Sequence, residues 1–287
     1  VIVHAYEEWG LEKTVGMLKG MFAFALWDKD EDVLWLARDR LGVKPLFYAQ
    51  HMGKFLFSSE VHALYEHVDV SPDRIDRGAL DYYLAFGYVP PDRCLIRGIQ
   101  KLPPAHILKY DRGGIRCWRY WDVGFLSRTT LSFEDQVEQV DQVLTNAVTR
   151  RLQSDVPVGS FLSAGIDSGL VTAIAARNLD TPLRTFTVKF ESTSPDQDET
   201  ALAQLVAQCY GTRHEQLVVD PSDKSPLPYL MYHAGEPFFD IGILPAYQIA
   251  RSARDYITVA LTGDGGDESF CGYYGVYTSY LAGRIKR

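Results

Sequence analysis

Two short stretches hold the residue types that phosphate chemistry needs. The first runs Ser163-Ala164-Gly165-Ile166-Asp167-Ser168 and follows the apolar run Val156-Pro157-Val158-Gly159-Ser160-Phe161-Leu162. A strand that ends in small residues and turns into a helix presents free backbone N–H groups and the positive end of a helix dipole, both of which favour a phosphate. Ser163 and Ser168 add hydroxyl donors. Asp167 repels phosphate unless a divalent cation lies between them. The plainer reading is an ordinary strand–helix corner with Ser168 as N-cap. The second stretch, Thr262-Gly263-Asp264-Gly265-Gly266-Asp267-Glu268, follows Ile257-Thr258-Val259-Ala260-Leu261 and repeats the design with three acids. Its plainer reading is an acidic helix N-terminus around Glu268.

Such loops act together only if the strands that carry them lie side by side. The pattern after residue 130 alternates strands and helices. A helix is expected from Ser132 to about Leu152, with Ser132 and Asp135 as a capping pair. A strand at 156–161, a helix from Ser168 to about Leu179 and a strand from Leu183 to Phe190 follow. Next come a helix opened by Asp198-Glu199 that stops at Gly211, and a strand from His214 to Val219. Helices at Ser225–Ala234 and Pro245–Tyr256 precede the strand Ile257–Leu261. This alternation implies a parallel sheet covered on both faces. Its loops at the carboxyl ends of the strands would share one crevice, where Asp167 and Asp267 can share a magnesium ion on a polyphosphate.

The first third is β-rich. Met21–Trp27 and Val33–Arg38 read as a hairpin around an Asp-rich turn. A third strand follows the charged turn at Arg38–Lys44, and Lys54–Ser58 is a fourth. A short helix starts near Ser59 with Ser58 or Ser59 as cap. Arg77–Gly87 suggests a helix, and His106–Tyr110 with Ile115–Tyr120 a hairpin. The Arg38/Asp39/Arg40 cluster reads as a turn stapled by ion pairs, with anion binding as the alternative. Trp118, Tyr120 and Trp121 read as packing aromatics, with base stacking as the alternative. Gly124–Thr130 is the expected linker. Domains are therefore expected at 1–125 and 126–287.

Composition narrows the class. Of 287 residues, 46% are hydrophobic and 23% charged, an ordinary globular balance. A net charge of −8 argues against a general nucleic-acid surface, and no apolar run is long enough to span a bilayer. Cys94, Cys117, Cys209 and Cys271 lack metal spacing and read as idle thiols in a reducing, cytoplasmic compartment. The start, Val1-Ile2-Val3-His4, has no basic leader and no Met, so a fragment is expected.

Neither Gly-x-x-x-x-Gly-Lys-Ser/Thr nor a Gly-x-Gly-x-x-Gly after a strand is present. The 163–168 loop resembles the Ser-Gly-Gly-x-Asp-Ser loop of N-type ATP pyrophosphatases, with Ala164 at its first Gly. The whole chain is similar to the glutamine-hydrolysing asparagine synthetase family. The resemblance rests on Gly20–Asp28, Arg38-Asp39-Arg40-Leu41-Gly42-Val43-Lys44-Pro45-Leu46, Phe57-Ser58-Ser59-Glu60, Ser154–Gly159, Gly235-Glu236-Pro237-Phe238 and Leu261–Glu268. It implies a partial N-terminal-nucleophile-hydrolase-like β-rich domain followed by a parallel α/β sheet of the ATP pyrophosphatase class.

The resemblance also implies roles. Leu162, Val188, Thr262 and Gly263 match positions that hold the adenine nucleotide. Ser163, Gly165, Asp167 and Ser168 match the pyrophosphate loop, and Asp167 and Asp267 the magnesium-binding pair. Asp264 matches an acidic position linked to forming β-aspartyl-AMP. The implied reaction makes asparagine from aspartate, ATP and glutamine or ammonia, in a homodimer without nucleic-acid or membrane partners. Several departures accompany it. The family nucleophile is an N-terminal Cys, whereas this chain begins with Val1, so the polypeptide itself is expected to lack glutaminase activity; a family lysine downstream of the second loop lies past Arg287. Gly169 stands where relatives carry a second Ser. Gly235 and Gly242 replace Asp and Ser, so an altered acceptor preference is expected. The alternatives are a related amidotransferase acting on a carbohydrate, peptide or β-lactam precursor, and a non-catalytic nucleotide-binding remnant.

Overall fold

The computed structural model describes residues 1–68, 71–124, 129–190, 200–220, 222–240, 242–275 and 278–279. The chain forms two compact units, one of residues 1–128 with 227–241, the other of 129–226 with 242–287. The sequence pattern places 227–241 with the second of these. Residues 125–128 of the expected linker Gly124–Thr130 and the helix start at Asp198-Glu199 lie outside the described residues.

The first unit is built from antiparallel sheets. Strands β1 (Ala23–Asp28), β2 (Val33–Arg38), β3 (Phe47–His51), β4 (Lys54–Ser58), β5 (Ile99–Lys101), β6 (His106–Asp111) and β7 (Gly114–Arg119) form one sheet of order β1-β2-β6-β7 and another of order β4-β3-β5. Side-chain alternation sorts the layers. Ala37 and Ile107 meet Leu11 and Val15 of helix α1 (Ile2–Met17), while their neighbours Leu36 and Leu108 meet Tyr48 and Leu102 between the sheets. Phe47 and Ala49 turn the other way, onto Val61 and Leu64 of helix α2 (Val61–Tyr65). The result is helix, sheet, sheet, helix, in keeping with the partial N-terminal-nucleophile-hydrolase-like domain that the resemblance implies.

The α1 helix has no counterpart in the sequence pattern, because Gly10 at φ 73° breaks it into two pieces. The α2 cap is Glu60; the Ser58 hydroxyl instead accepts from the Glu60 N–H at 3.1 Å. Helix α3 (Arg77–Phe86) starts where expected and ends one residue earlier, with the Asp76 carboxylate accepting from the Ala79 N–H at 2.9 Å and Gly87 left-handed as its C-cap. The charged turn after β2 is stapled as expected, though by backbone rather than by ion pairs. Asp39, 1% exposed, accepts from the N–H groups of Phe22, Leu41, Val43 and Lys44. The Arg38 guanidinium donates to the carbonyls of Lys44, Leu102 and Gly42. Trp118 packs edge-on against Trp35 and Arg40 lies over Trp121, so these aromatics are part of the packing.

The second unit opens with helix α4 (Phe133–Arg151), capped by Ser132, whose hydroxyl accepts from the Asp135 N–H at 3.1 Å. Strand β8 (Val158–Phe161), helix α5 (Ile166–Arg177), strand β9 (Arg184–Phe190), helix α6 (Thr200–Cys209) and strand β10 (Arg213–Val219) follow. After helix α7 (Leu227–Ala234), which belongs to the first unit, come helix α8 (Ile243–Ala253), strand β11 (Val259–Leu261) and the short helix α9 (Gly266–Phe270). The strand order is β10-β9-β8-β11, all parallel. Val148, Ile174 and Ala175 from α4 and α5 cover one face, joined by α6 over Leu162, while Ala253 and Ile249 of α8 cover Phe186 and Leu217 on the other. The chain winds outward from β8 to β10 with α5 and α6 on one face. It then returns with α8 on the opposite face to place β11 beside β8. That reversal is the topological switch point of a doubly wound sheet.

Candidate functional site

The switch point lies between β8 and β11, paired as Val158↔Val259, Gly159↔Ala260 and Ser160↔Leu261. Their carboxyl ends lead into the two loops singled out by residue type. Small residues make this pairing close. A Cβ on Gly159 would stand 2.9 Å from the Arg184 carbonyl oxygen and 2.8 Å from Ile257. Ser160, fully buried, shares a 2.9 Å hydrogen bond with Thr172 of α5 and donates to the Leu261 carbonyl at 3.4 Å. One hydroxyl thus links both strands to the helix that follows the first loop.

The first loop is wired internally. Helix α5 begins at Ile166, two residues before the expected start, with Gly165 as an N-cap that supplies no side-chain bond. Ser168 is therefore a first-turn residue and not the cap. Its hydroxyl is buried, accepts from the Ser163 N–H at 3.1 Å, meets the Ser163 hydroxyl at 2.9 Å and donates to the Gly165 carbonyl at 3.3 Å. Ser163 is exposed, and its hydroxyl accepts from the Gly165 N–H at 3.1 Å. No side chain caps this helix, and its first turn is the positive end of its dipole, the arrangement that favours an anion. Asp167 is half-buried in that same turn.

The second loop presses against the first. A Cβ on Gly263 would lie 2.7 Å from the Ser168 nitrogen and 3.1 Å from the Asp167 Cβ, and one on Gly266 would overlap the Asp167 carboxyl group. Gly265 is left-handed at φ 94°, which turns the chain into α9. Asp267 and Glu268 fall in the first turn of that helix, and the Glu268 carboxylate accepts from the Tyr273 hydroxyl at 2.9 Å. Asp267 is half-buried with its carboxylate where a Cβ on Gly272 would be. Asp264 is exposed, and its carboxylate accepts from the Thr262 hydroxyl at 2.9 Å.

The structure thus brings Ser163, Gly165, Asp167, Ser168 and Gly263 into one cluster of contacts, with Thr262, Asp264 and Asp267 on the same second loop. Leu162 and Val188 do not share a cluster. Leu162, 2% exposed, packs on Ala203, Val206 and Ala207 of α6. Val188 alternates onto the face of β9 that holds Phe186. The Thr187 hydroxyl donates to the Leu162 carbonyl at 2.5 Å and fixes the strand end from which the first loop departs. Sequence pattern does not single out Thr187 or Gly272, and it shows Gly266 only as one member of the glycine-rich second loop. The only signal for the glycines is their spacing around the acids. Gly235 is far from offering free space for an acceptor. It sits at φ 75° in the first unit, and a Cβ there would stand 2.5 Å from Val61.

Among the described residues no group of three or more His, Cys, Asp or Glu side chains assembles into a metal site. No helix among them is long and apolar enough to cross a membrane. Four parallel strands in this order, helices on both faces and two glycine-rich loops at the switch point define the second unit as a parallel α/β sheet of the N-type ATP pyrophosphatase class. Comparison with known proteins agrees. An asparagine synthase model matches residues 139–286, more than half of the chain, and a glutamine amidotransferase domain model matches 1–121. The chain belongs to the asparagine synthase family. It is 36% identical to asparagine synthetase [glutamine-hydrolyzing] 3 of Bacillus subtilis, over 97% of this chain and 47% of that protein. It is 35% identical to a putative asparagine synthetase of Mycobacterium tuberculosis, over 95% and 42%. It is 32% identical to one of Methanocaldococcus jannaschii, over 100% and 56%. The chain spans about half the length of these curated relatives.

Proposed function

We propose that the protein is an ATP-dependent amide-forming ligase that makes asparagine from aspartate, with glutamine or ammonia as nitrogen source. The observation that carries this reading is the contact of the two loops at the switch point, where Gly263 abuts the Ser168 nitrogen and Asp167. The names of the curated relatives support the choice of amino acid.

In this reading the N-terminal turn of α5, with Ser163, Gly165 and Ser168, holds the phosphates of ATP. Leu162, Val188, Thr262 and Gly263 border the nucleoside. The β-carboxylate of aspartate attacks the α-phosphorus and pyrophosphate leaves, giving β-aspartyl-AMP. Ammonia then attacks the acyl carbon, and AMP departs with one oxygen of the original carboxylate. The N–H groups at the α5 terminus stabilise the charge that spreads over the phosphate oxygens, with no reorganisation at the moment of reaction. Asp264, held by Thr262, orients the attacking group.

The donor set fits Mg²⁺. Asp167 and Asp267 are hard oxygen ligands, each packed where a glycine lacks a Cβ, and Mg²⁺ takes one or two carboxylates plus substrate phosphates rather than an all-protein cage. Once bound, the ion neutralises charge on the leaving pyrophosphate.

The test is pyrophosphate release in the complete protein, with aspartate and with other carboxylates, and amino-acid analysis of the product. Aspartate-dependent release with asparagine formed is expected. Release that does not depend on aspartate, or formation of ADP, would overturn the reading.

A further inference from the structure

The chain leaves the α/β unit at Pro226, spends residues 227–241 on the first unit, and re-enters the second at Gly242, the N-cap of α8. That excursion carries Gly235-Glu236-Pro237-Phe238, a motif that the phosphate site does not use. Its anchoring is dense. The Glu236 side chain is 9% exposed, and both of its oxygens are spent on the first unit: one accepts from the Leu95 N–H at 2.8 Å, the other pairs with the Lys101 ammonium, itself 15% exposed. Lys101 also donates to the Pro90 carbonyl at 3.3 Å. Cys94 adjoins the pair, and burial together with the Glu236 charge pushes its thiol up to about 12, so it stays protonated and adds no competing anion.

On either side of Glu236 the backbone is fixed as well. The Phe239 N–H donates to the Gly87 carbonyl at 2.6 Å, and the Tyr65 hydroxyl donates to the Gly235 carbonyl at 3.2 Å. Tyr232 stacks on His62 with ring centroids 4.2 Å apart. Gly235 packs where Val61 leaves no room for a Cβ. A loop that merely connects two helices has no need of a buried ion pair, which costs desolvation of both charges.

We propose that Glu236 is a positioning residue that, with Lys101, clamps the 227–241 strap to the amidotransferase-type unit and thereby couples glutamine use to amide synthesis. The route is covalent. The strap continues directly into α8, which packs on Phe186 and Leu217, and from α8 through Ile257 into β11 and the acidic loop. Any change in the first unit that moves Glu236 pulls on the N-cap of α8. This rests on the proposed amide-forming reaction and extends it to the residues that link its two halves.

The experiment uses the complete protein and three forms: unsubstituted, the double variant Glu236→Gln/Lys101→Met, and Lys101→Arg. The double variant removes both charges at similar volume, so no buried charge is left unpaired. Glutamate and pyrophosphate release are measured with glutamine, and pyrophosphate release with an ammonium salt. In the double variant, glutamate released per pyrophosphate should rise about fivefold or more, the lower end of the range for coupling between sites, while ammonia-driven release stays within about twofold. Lys101→Arg should keep the unsubstituted ratio. An unchanged ratio in the double variant, or an equal fall of glutamine- and ammonia-driven synthesis, would show a structural role alone and overturn the proposal. If the unsubstituted protein released no pyrophosphate with either nitrogen source, the functional reading would fall, and this inference with it.

Discussion

Adding one methyl group at Gly263 tests whether the contact between the loops is what makes the site. In Gly263→Ala the new Cβ would lie 2.7 Å from the Ser168 nitrogen, about 0.7 Å short of ordinary van der Waals contact at 3.4 Å. The Ser168 nitrogen belongs to the first turn of α5 and cannot rotate away as a side-chain end could. Gly263 has no positive φ, so the substitution adds no backbone strain and the effect isolates the contact. Two responses are open to the chain. If the loops hold, overpacking costs about 1–3 kcal/mol of stability. If they part, the α5 terminus moves by a sizeable fraction of an ångström, and a misplacement near 1 Å costs about 100-fold in rate. The expected outcome is a lowered unfolding midpoint together with roughly a 10- to 100-fold loss of aspartate-dependent pyrophosphate release. Thermal unfolding, calorimetric titration with Mg-ATP and the pyrophosphate assay measure the three quantities. Unchanged stability together with unchanged nucleotide affinity would refute the claim that the two loops form one site.

Gly169, on α5 with nothing within 4 Å of its Cβ position, is the control: Gly169→Ala should leave activity intact and raise stability by about 0.5–1 kcal/mol in denaturant unfolding. Gly235→Ala meets both a positive φ and Val61, and should cost about 2–4 kcal/mol in the same measurement. His214 is held below its usual 6.5 by burial, with Nδ1 at 3.0 Å from the Thr185 hydroxyl and Nε2 buried without a partner. A depressed folded-state value means stability that is present above 6.5 and lost as pH falls below it, so the melting temperature should drop on acidification through that window and drop less in His214→Gln.

Much of this architecture is legible from residue order. The β2 and β4 strands match their expected limits because apolar runs end at Asp-rich or Gly turns. Asp76 and Gly87 bound α3, and Ser132 opens α4, because a cap leaves a side-chain signature. Other features depend on contacts that no local pattern encodes. The α5 start is masked because Ile166, 85% exposed, interrupts the apolar periodicity and Gly165 caps without a side chain. Helix α8 begins before Pro245, whose missing N–H is harmless in a first turn. The allegiance of 227–241 is set by the Glu236–Lys101 pair, more than a hundred residues apart in sequence. At the site, the acids and glycines of both loops are visible in the sequence. That Ser168 spends its hydroxyl inside the loop is not, because that depends on where the helix begins.

The central claim is that an acyl carboxylate attacks the α-phosphorus of ATP between these two loops. Aspartate labelled with heavy oxygen in its β-carboxylate tests this most directly, with mass analysis of the nucleotide and phosphate products of the complete protein. The expected products are AMP carrying one heavy oxygen on its phosphate and unlabelled pyrophosphate. Label in inorganic phosphate, or ADP as the nucleotide product, would place the attack at the γ-phosphorus and rule out β-aspartyl-AMP.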